Sequence, residues 1–330
     1  CHKLFNMSRR ITLMKEFSPY LLFLIGFIMI IKGSDWFIDA TIWIAKVLKV
    51  PNIIIGATLV SICTTLPEAM VSGSSAINGN ASIAFGNALG SIACNTGFIL
   101  GLTILLSRPE IKQKKKLRRT GLFLVFLLSL LTVFSLVFGE IARITGFMFL
   151  GILVLYLYNN VKDAKMSSSE IKQDEEIEVT KSIIIKNIIL FAIGITFTII
   201  GANLLVTNGE KIAKMLGVPD IIIGVTLTAF GTSLPELVTA ITAIVKKAHD
   251  ISIGNVLGAN ILNIILVIGL SSSILPFKIQ PSWLSYHIPF VFAIVLLLVA
   301  FTLFNKKRFH RWNGVLMIAT YFAYIYFLVF

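Results

Sequence analysis

Two glutamates stand isolated in long apolar stretches of the sequence. Glu68 lies near the middle of residues 51–76. Glu236 lies near the middle of residues 219–245, and neither stretch has another charged side chain at that depth. A charge inside a membrane is costly, so an unpaired carboxylate there is by default a functional candidate. Two carboxylates offer two negative charges and hard oxygen atoms, which suit Ca²⁺. We therefore expect a shared cation site; the alternative is two protonated carboxyls hydrogen-bonded to neighbouring helices.

Hydroxyl-bearing residues recur at helical spacing around each glutamate. In the first stretch they follow one another at steps of three or four residues and so share one helix face. The residues on this face are Thr58, Ser61, Thr65, Glu68, Ser72 and Ser75. The second stretch offers Thr226, Thr232, Ser233 and Glu236. We interpret Ser72 and Ser75 as helix-packing residues, because Ser and Thr often have that role between membrane helices.

A proline precedes each glutamate and favours a role in ion binding for the backbone near it. Pro67 and Pro235 lack an N–H and clash with the carbonyl four residues earlier, at Cys63 and Gly231. A carbonyl freed at membrane depth needs a partner, and a cation is one where the backbone lines a cavity. A kink without ion binding would also explain the prolines.

The next apolar stretch of each half carries the pattern Gly-Asn-x-x-Gly, at residues 86–90 and 254–258. Glycines four residues apart allow helices to approach closely. The amide oxygens of asparagine can coordinate Ca²⁺ or Na⁺ without adding charge. Asn95 and Asn263 lie nearer the middle of their stretches and are candidate ligands. The asparagines of the pattern itself, Asn87 and Asn255, fit a structural role as well as a functional one.

The composition requires a membrane around these residues. Of the 330 residues, 56% are hydrophobic and 14% are charged, whereas an ordinary soluble domain is about one quarter charged. This excludes a soluble enzyme or a nucleic-acid binder. Apolar runs of membrane-spanning length predict ten helices, at residues 18–45, 51–76, 82–106, 120–138, 144–161, 184–210, 219–245, 250–274, 283–304 and 312–330. No signal-peptide pattern is visible, so the first run is expected to remain in the mature protein.

The net charge of +13 is read as an orientation signal. Most Lys and Arg residues outside the predicted spans fall in the odd-numbered loops, as in the run Lys112–Arg119. The positive-inside rule places these loops in the cytoplasm and both termini outside the cell. Within the first span, Lys32, Asp35 and Asp39 are three and four residues apart and are expected to neutralise one another.

The sequence contains an internal repeat. Gly33–Leu102 aligns without gaps with Gly201–Leu270, at a constant offset of 168 residues. The offset covers five predicted helices, an odd number, so the second copy runs through the membrane in the opposite direction. Such inverted repeats are typical of secondary transporters that work by alternating access, although some channels also have them. The predicted organisation is a tail (1–17), a five-helix repeat (18–161), a cytoplasmic linker (162–183) and a second repeat (184–330).

The motifs resemble the α-repeats of the cation/calcium antiporter superfamily, in the compact prokaryotic sodium/calcium exchanger branch. The pattern Gly-Thr-Ser-Leu-Pro-Glu is intact at residues 231–236. At residues 63–68 it is altered, with Cys63 in place of the glycine and Thr65 in place of the serine. The Gly-Asn-x-x-Gly block also occurs in both copies, and the two repeats together cover about 140 residues.

The resemblance implies a polytopic, all-α antiporter that exchanges several Na⁺ for one Ca²⁺ across a prokaryotic cell membrane. It implies no enzymatic activity, no cofactor and no nucleic-acid partner, and a monomer that acts in the lipid bilayer. The implied ion ligands are Glu68, Glu236, Thr64, Thr232 and the carbonyls of Ser61 and Ala229. The residues implied to line the sites are Thr65, Ser233, Ser91, Asn95 and Asn263.

Departures from the family pattern leave alternatives open. Ala259 stands where many members have Ser, which removes a hydroxyl from an expected Na⁺ site. Asn263 stands where many members have Asp, which lowers the prospect of K⁺ cotransport. H⁺/Ca²⁺ exchange is the nearest alternative, because a buried Glu can titrate instead of binding Na⁺. A passive cation channel is an alternative of another class.

Overall fold

Almost every part of the chain that the structure describes is helical. The computed structural model describes residues 2–79, 81–170, 180–217, 231–281, 283–305 and 307–329. The helices are α1 (His2–Val47), α2 (Asn52–Ile77), α3 (Ser82–Ser107), α4 (Lys114–Phe138), α5 (Arg143–Glu170), α6 (Lys181–Met215), α7 (Leu234–Val245), α8 (His249–Ile274), α9 (Trp283–Phe304) and α10 (Arg311–Val329).

Eight of these helices are long and apolar enough to cross a membrane: α1–α6, α8 and α9. A helix satisfies its own backbone hydrogen bonds, which is why apolar segments fold this way where no water is present. The predicted all-helical, multi-span class is therefore confirmed. Of the predicted seventh span, 219–245, only the part from residue 231 onward is described, and α7 is the apolar helix in it.

Three predicted domain boundaries fall inside helices: 17/18 in α1, 161/162 in α5 and 183/184 in α6. Helix α1 begins at His2, so the segment predicted as a tail is helical and continuous with the first span. Helix α5 continues to Glu170, beyond the predicted start of the linker, and residues 171–179 of that linker lie outside the described part of the chain.

A short two-stranded antiparallel sheet joins the two halves of the chain. Strand β1 (Glu140–Ile141) follows α4, and strand β2 (Phe277–Lys278) follows α8. They pair antiparallel, with Glu140 opposite Lys278 and Ile141 opposite Phe277. The loop after α4 is thereby attached to the loop after α8.

An ion pair connects α1 to the end of α7. The Lys246 ammonium lies 2.6 Å from Asp35 Oδ1 and 2.8 Å from Asp39 Oδ1. Partial burial lowers the pKa of Lys246, but hydrogen bonds to the two carboxylates outweigh this and raise the pKa above its ordinary value. Asp35 and Asp39 therefore pair with Lys246, which is distant in sequence, and the expectation that Lys32 is their partner is wrong.

Glycines allow several helix pairs to pack backbone against backbone. A Cβ atom at Gly33 of α1 would lie 2.7 Å from the Gly194 carbonyl oxygen of α6, and one at Gly26 would lie 2.9 Å from the Gly201 carbonyl oxygen. Helices α3 and α10 meet in the same way at Gly101 and Gly314, and α5 and α8 meet at Gly146 and Gly269.

The closest of these contacts brings α2 against α8. A Cβ atom at Gly254 would lie 2.3 Å from the Ile53 carbonyl oxygen and 3.0 Å from the Ala57 backbone nitrogen. A Cβ atom at Gly258 would lie 2.5 Å from the Ser61 hydroxyl. Helix α8 cannot carry a side chain at either position unless it moves away from α2. The two glycines therefore fix the distance between the helix of Glu68 and the helix of Asn263.

We predict that Gly254→Ala destabilises the protein by about 1–3 kcal/mol, the usual cost of overpacking a close contact. The measurement is the unfolding temperature of the purified protein in detergent. The control is Gly151→Ala in α5, where a Cβ atom meets nothing within 4 Å and where alanine favours the helix by roughly 0.5–1 kcal/mol. Equal unfolding temperatures for the two variants would contradict the prediction.

Candidate ion-binding site

The two glutamates lie buried in the interior, on different helices. Glu68 of α2 is 0% exposed and Glu236 of α7 is 1% exposed. Among the residues that the structure describes, none forms a hydrogen bond with any of the four carboxylate oxygens. The two carboxylates are close enough for their charges to repel each other. The structure therefore brings together the two residues that the sequence singles out.

The local structure around the two prolines is not the same. Helix α2 stays helical from Ser61 to Ile77 with Pro67 inside it. Helix α7 instead begins at Leu234, so Pro235 and Glu236 lie in its first turn. A proline in the first turn costs no hydrogen bond, and the positive end of the helix dipole favours the negative charge of Glu236. In the first copy the helix thus continues through the proline, whereas in the second copy a helix begins one residue before it.

Five further predicted site residues share the unusual state of the glutamates. Each is at most 2% exposed. Within the described part of the chain, the side-chain oxygen of each, and in the asparagines the nitrogen as well, has no hydrogen-bond partner. They are Thr65, Ser91, Asn95, Ser233 and Asn263. A buried polar group without a partner costs about 1–3 kcal/mol. The concentration of such groups in one set of residues is the feature expected of a site that binds an ion.

Unpartnered polar atoms elsewhere in the described part of the chain include a different kind. Asn208, Asn260 and Asn313 each lack a partner for one side-chain atom but use the other in a hydrogen bond. In contrast, both side-chain polar atoms of Asn95 and of Asn263 are without partners.

Widened helix turns coincide with these asparagines. Helix α3 changes from α to π geometry at Cys94–Leu100, and α8 does so at Asn263–Ile268. Such turns often occur at functional sites, because the extra residue in the turn changes the direction of a side chain. Asn95 and Asn263 therefore each lie at the start of a π segment.

The remaining predicted ligands have partners or lie outside the described residues. The Thr64 hydroxyl approaches Glu236 without forming a hydrogen bond of normal geometry to it. It donates instead to Asn255 Oδ1 at 3.1 Å, and it lies 3.4 Å from the Ser61 carbonyl oxygen. The Thr232 hydroxyl donates to Asn87 Oδ1 at 3.3 Å. Ala229 lies outside the described part of the chain.

The structure adds one residue that the sequence analysis missed. Cys94 is fully buried, and its thiol contacts Ser233 and Tyr321 beside the two carboxylates. Its place in the sequence contains the signal, because Cys94 is three residues after Ser91 and therefore on the same helix face. The candidate residues thus offer two carboxylates, several hydroxyls and two amides, all hard oxygen ligands, and the sulfur atom of Cys94 lies beside the carboxylates.

The chain is similar to known membrane exchangers along most of its length. The family model described as "Sodium/calcium exchanger protein" matches residues 18–162 and 186–330. The sodium/calcium exchanger MaX1 of Methanosarcina acetivorans is 30% identical over 93% of this chain and 97% of its own length. The inner membrane protein YrbG of Escherichia coli is 34% identical over 79% of this chain and 81% of its own length.

Solved structures of the sodium-calcium exchanger NCX_Mj have a similar fold. One, soaked with Na⁺ and Sr²⁺, superimposes with a TM-score of 0.80 at 30% identity, covering 93% of this chain and 98% of that one. A match to the family model over both halves, together with full-length relatives at this identity, identifies the family. The chain belongs to the sodium/calcium exchangers of the cation/calcium antiporter superfamily and is a prokaryotic-type, multi-pass protein of the cell membrane.

Proposed function

We propose that this protein is a secondary antiporter that exchanges Na⁺ for Ca²⁺ by alternating access, with Ca²⁺ held between Glu68 and Glu236. The observation that carries the proposal is that these two buried carboxylates approach each other and accept no hydrogen bond. Without a cation, the arrangement combines desolvation with repulsion. One Ca²⁺ supplies the two positive charges that remove both costs.

The neutral oxygens complete the proposed coordination. Ca²⁺ takes six to eight oxygen ligands, and two carboxylates alone supply at most four. We assign the remaining ligands to the hydroxyls of Thr64 and Thr232 and to the carbonyls of Ser61 and Ala229. Further oxygens that line the site are those of Thr65, Ser233, Ser91, Asn95 and Asn263.

Na⁺ is proposed to compete for the same oxygens. It is also a hard cation, and the two carboxylates and the amides can hold it in the same cavity. Because both ions need the two glutamates, Ca²⁺ and Na⁺ exclude each other, which is the requirement for exchange rather than cotransport. Alternating access then moves this one site between the two sides of the membrane.

We infer that the scaffold is a pair of inverted five-helix repeats, ten spanning helices with both termini outside the cell, working as a monomer. The proposed units are residues 1–17, 18–161, 162–183 and 184–330. The glycine contacts between helices support a pair of equivalent repeats, because they occur in symmetry-related pairs. Adding the repeat offset of 168 to the first residue of one contact and subtracting it from the second gives the residues of another contact. Gly26–Gly201 maps onto Gly194–Gly33, and Gly101–Gly314 maps onto Gly269–Gly146.

H⁺/Ca²⁺ exchange is the second candidate, and Ala259 is the observation that favours it. This residue is fully buried one turn before Asn263 and brings no oxygen to the site. A weaker Na⁺ site would leave protonation of the two glutamates as the way to release Ca²⁺.

A flux experiment separates the candidates, including a passive channel. Proteoliposomes loaded with Na⁺ are diluted into Na⁺-free medium, and Ca²⁺ uptake is followed with and without a pH gradient. We expect uptake whenever the Na⁺ gradient is present, and none when Na⁺ is absent from both sides. Uptake driven only by the pH gradient contradicts Na⁺ coupling, and uptake without any counter-ion gradient indicates a channel.

We predict that Glu68→Gln and Glu236→Gln each abolish Ca²⁺ uptake in this assay while expression is maintained. Each change keeps the shape of the side chain but removes one of the two charges that balance Ca²⁺. Glu140→Gln is the control, because Glu140 is an exposed residue in the strand after α4 and should leave uptake unchanged. Near-normal uptake by either site variant would rule out a shared site.

We also predict that Ala259→Ser lowers the Na⁺ concentration needed for half-maximal exchange, by about threefold to tenfold, because it adds one hydroxyl ligand. The Ca²⁺ concentration for half-maximal uptake should change less. Ala45→Ser, at another buried alanine in α1, controls for the effect of a buried hydroxyl in general. An unchanged Na⁺ dependence would show that residue 259 is not near bound Na⁺.

A further inference from the structure

Asn255 of α8 connects the helices of the two glutamates. It is 1% exposed, and both ends of its amide are hydrogen-bonded. Its Oδ1 accepts from the Thr64 hydroxyl of α2 at 3.1 Å. Its Nδ2 donates to Thr239 Oγ1 of α7 at 3.3 Å. Thr64 precedes Glu68 by one helix turn and Thr239 follows Glu236 by nearly one turn, so the amide lies beside the site without being aimed at the ion.

The hydrogen-bond chain determines which way the Asn255 amide faces. The Thr239 hydroxyl donates to the Pro235 carbonyl oxygen at 2.8 Å. A hydroxyl has a single hydrogen, so the Thr239 oxygen can only accept from Asn255. The amide must therefore present its NH₂ group to Thr239 and its carbonyl oxygen to Thr64. It follows that Thr64 is the donor in its contact with Asn255.

This direction decides what the Thr64 oxygen can do next. Because its hydrogen is committed to Asn255, the oxygen turns lone pairs toward its other neighbours and can accept a cation. Without Asn255 the hydroxyl would be free to donate to the Glu236 carboxylate, which it approaches. A hydrogen bond to a carboxylate is among the stronger ones, and an arriving cation would have to break it.

The second half of the chain contains the matching arrangement. Asn87 Oδ1 accepts from the Thr232 hydroxyl at 3.3 Å, and Asn87 Nδ2 donates to the Ser72 hydroxyl at 3.0 Å. Adding 168 to 64 gives 232, and subtracting 168 from 255 gives 87, so the two Thr–Asn pairs are equivalent positions of the repeat. The same contact has therefore been made twice, each time between one half and the other.

We propose that Asn255 and Asn87 are positioning residues of the ion site: each takes up the hydrogen of a threonine hydroxyl, so that the threonine oxygen and the nearby glutamate remain available to a hard cation. The inference rests on the proposed function, because it treats Thr64 and Thr232 as ligands of the transported ion. It gives the two asparagines a role that does not require them to touch the ion.

A double-mutant cycle on Ca²⁺ uptake in proteoliposomes tests this role. Thr64→Val and Asn255→Leu keep the side-chain shape and remove the donor and the acceptor. We expect each to raise the KM for Ca²⁺ by about tenfold, with a smaller change in maximal rate. Both changes disable the same ligand oxygen, so the double variant should also be about tenfold impaired rather than about a hundredfold.

Asn260→Leu is the matched control. Asn260 is a fully buried asparagine of the same helix, and it donates to Thr96 at 2.6 Å. Its substitution should lower the unfolding temperature but leave the KM for Ca²⁺ unchanged. A wild-type KM in the Asn255→Leu protein, or full additivity of that change with Thr64→Val, would overturn the proposal. If Asn255→Leu does not fold, Thr232→Val with Asn87→Leu provides the equivalent cycle.

The Glu68→Gln and Glu236→Gln proteins are measured alongside, so that two kinds of failure remain distinct. If they still take up Ca²⁺, the proposed function itself is wrong. If they are inactive while the Thr64–Asn255 cycle is additive, the site is right and only the positioning role is wrong.

Discussion

Two buried carboxylates form no ion pair with any residue that the structure describes, and the packing around them can be understood from this fact. Glu68 and Glu236 are buried, lie close enough for their charges to interact, and accept no hydrogen bond from the residues that the structure describes. A protein that supplied hydrogen bonds or positive charges to these carboxylates would be more stable, but the carboxylates would then bind a cation less strongly. The hydroxyls of Thr65, Ser91 and Ser233 and the amides of Asn95 and Asn263 also lack partners among the described residues. In the proposed function, binding of an ion with two positive charges offsets the stability that these groups cost.

Close packing elsewhere makes such a site tolerable. Glycines bring α2 and α8 into backbone contact at Gly254 and Gly258, and they do the same for α1 and α6. These contacts hold the helix of Glu68 at a fixed distance from the helix of Asn263. The hydrogen bonds of Asn255 and Asn87 lie just outside the proposed site and join the two halves of the chain. The helices are thus positioned by contacts around the proposed site, and the oxygens of the candidate residues are left available for the ion that we propose.

Residues that are unusual at membrane depth could be identified as site candidates from the sequence alone. A lone Glu68 or Asn95 at membrane depth has few explanations, and the repeat supplies each with a counterpart. Contacts between distant segments were not predictable in this way. The direction of the Thr64–Asn255 hydrogen bond depends on Thr239 and on how α7 meets α8, and the pairing of Asp39 with Lys246 depends on how α1 meets α7. The different effects of Pro67 and Pro235 on their helices are another case, since the two sequences around them are nearly alike.

The most direct test of the central claim is the position of the bound divalent ion. Crystals of the protein soaked with Sr²⁺, a heavier substitute for Ca²⁺, would locate it by anomalous diffraction. We expect one strong peak in contact with both Glu68 and Glu236, which disappears when the crystals are transferred to high Na⁺ without Sr²⁺. A peak bound by only one glutamate, or one located elsewhere and indifferent to Na⁺, would contradict the central claim.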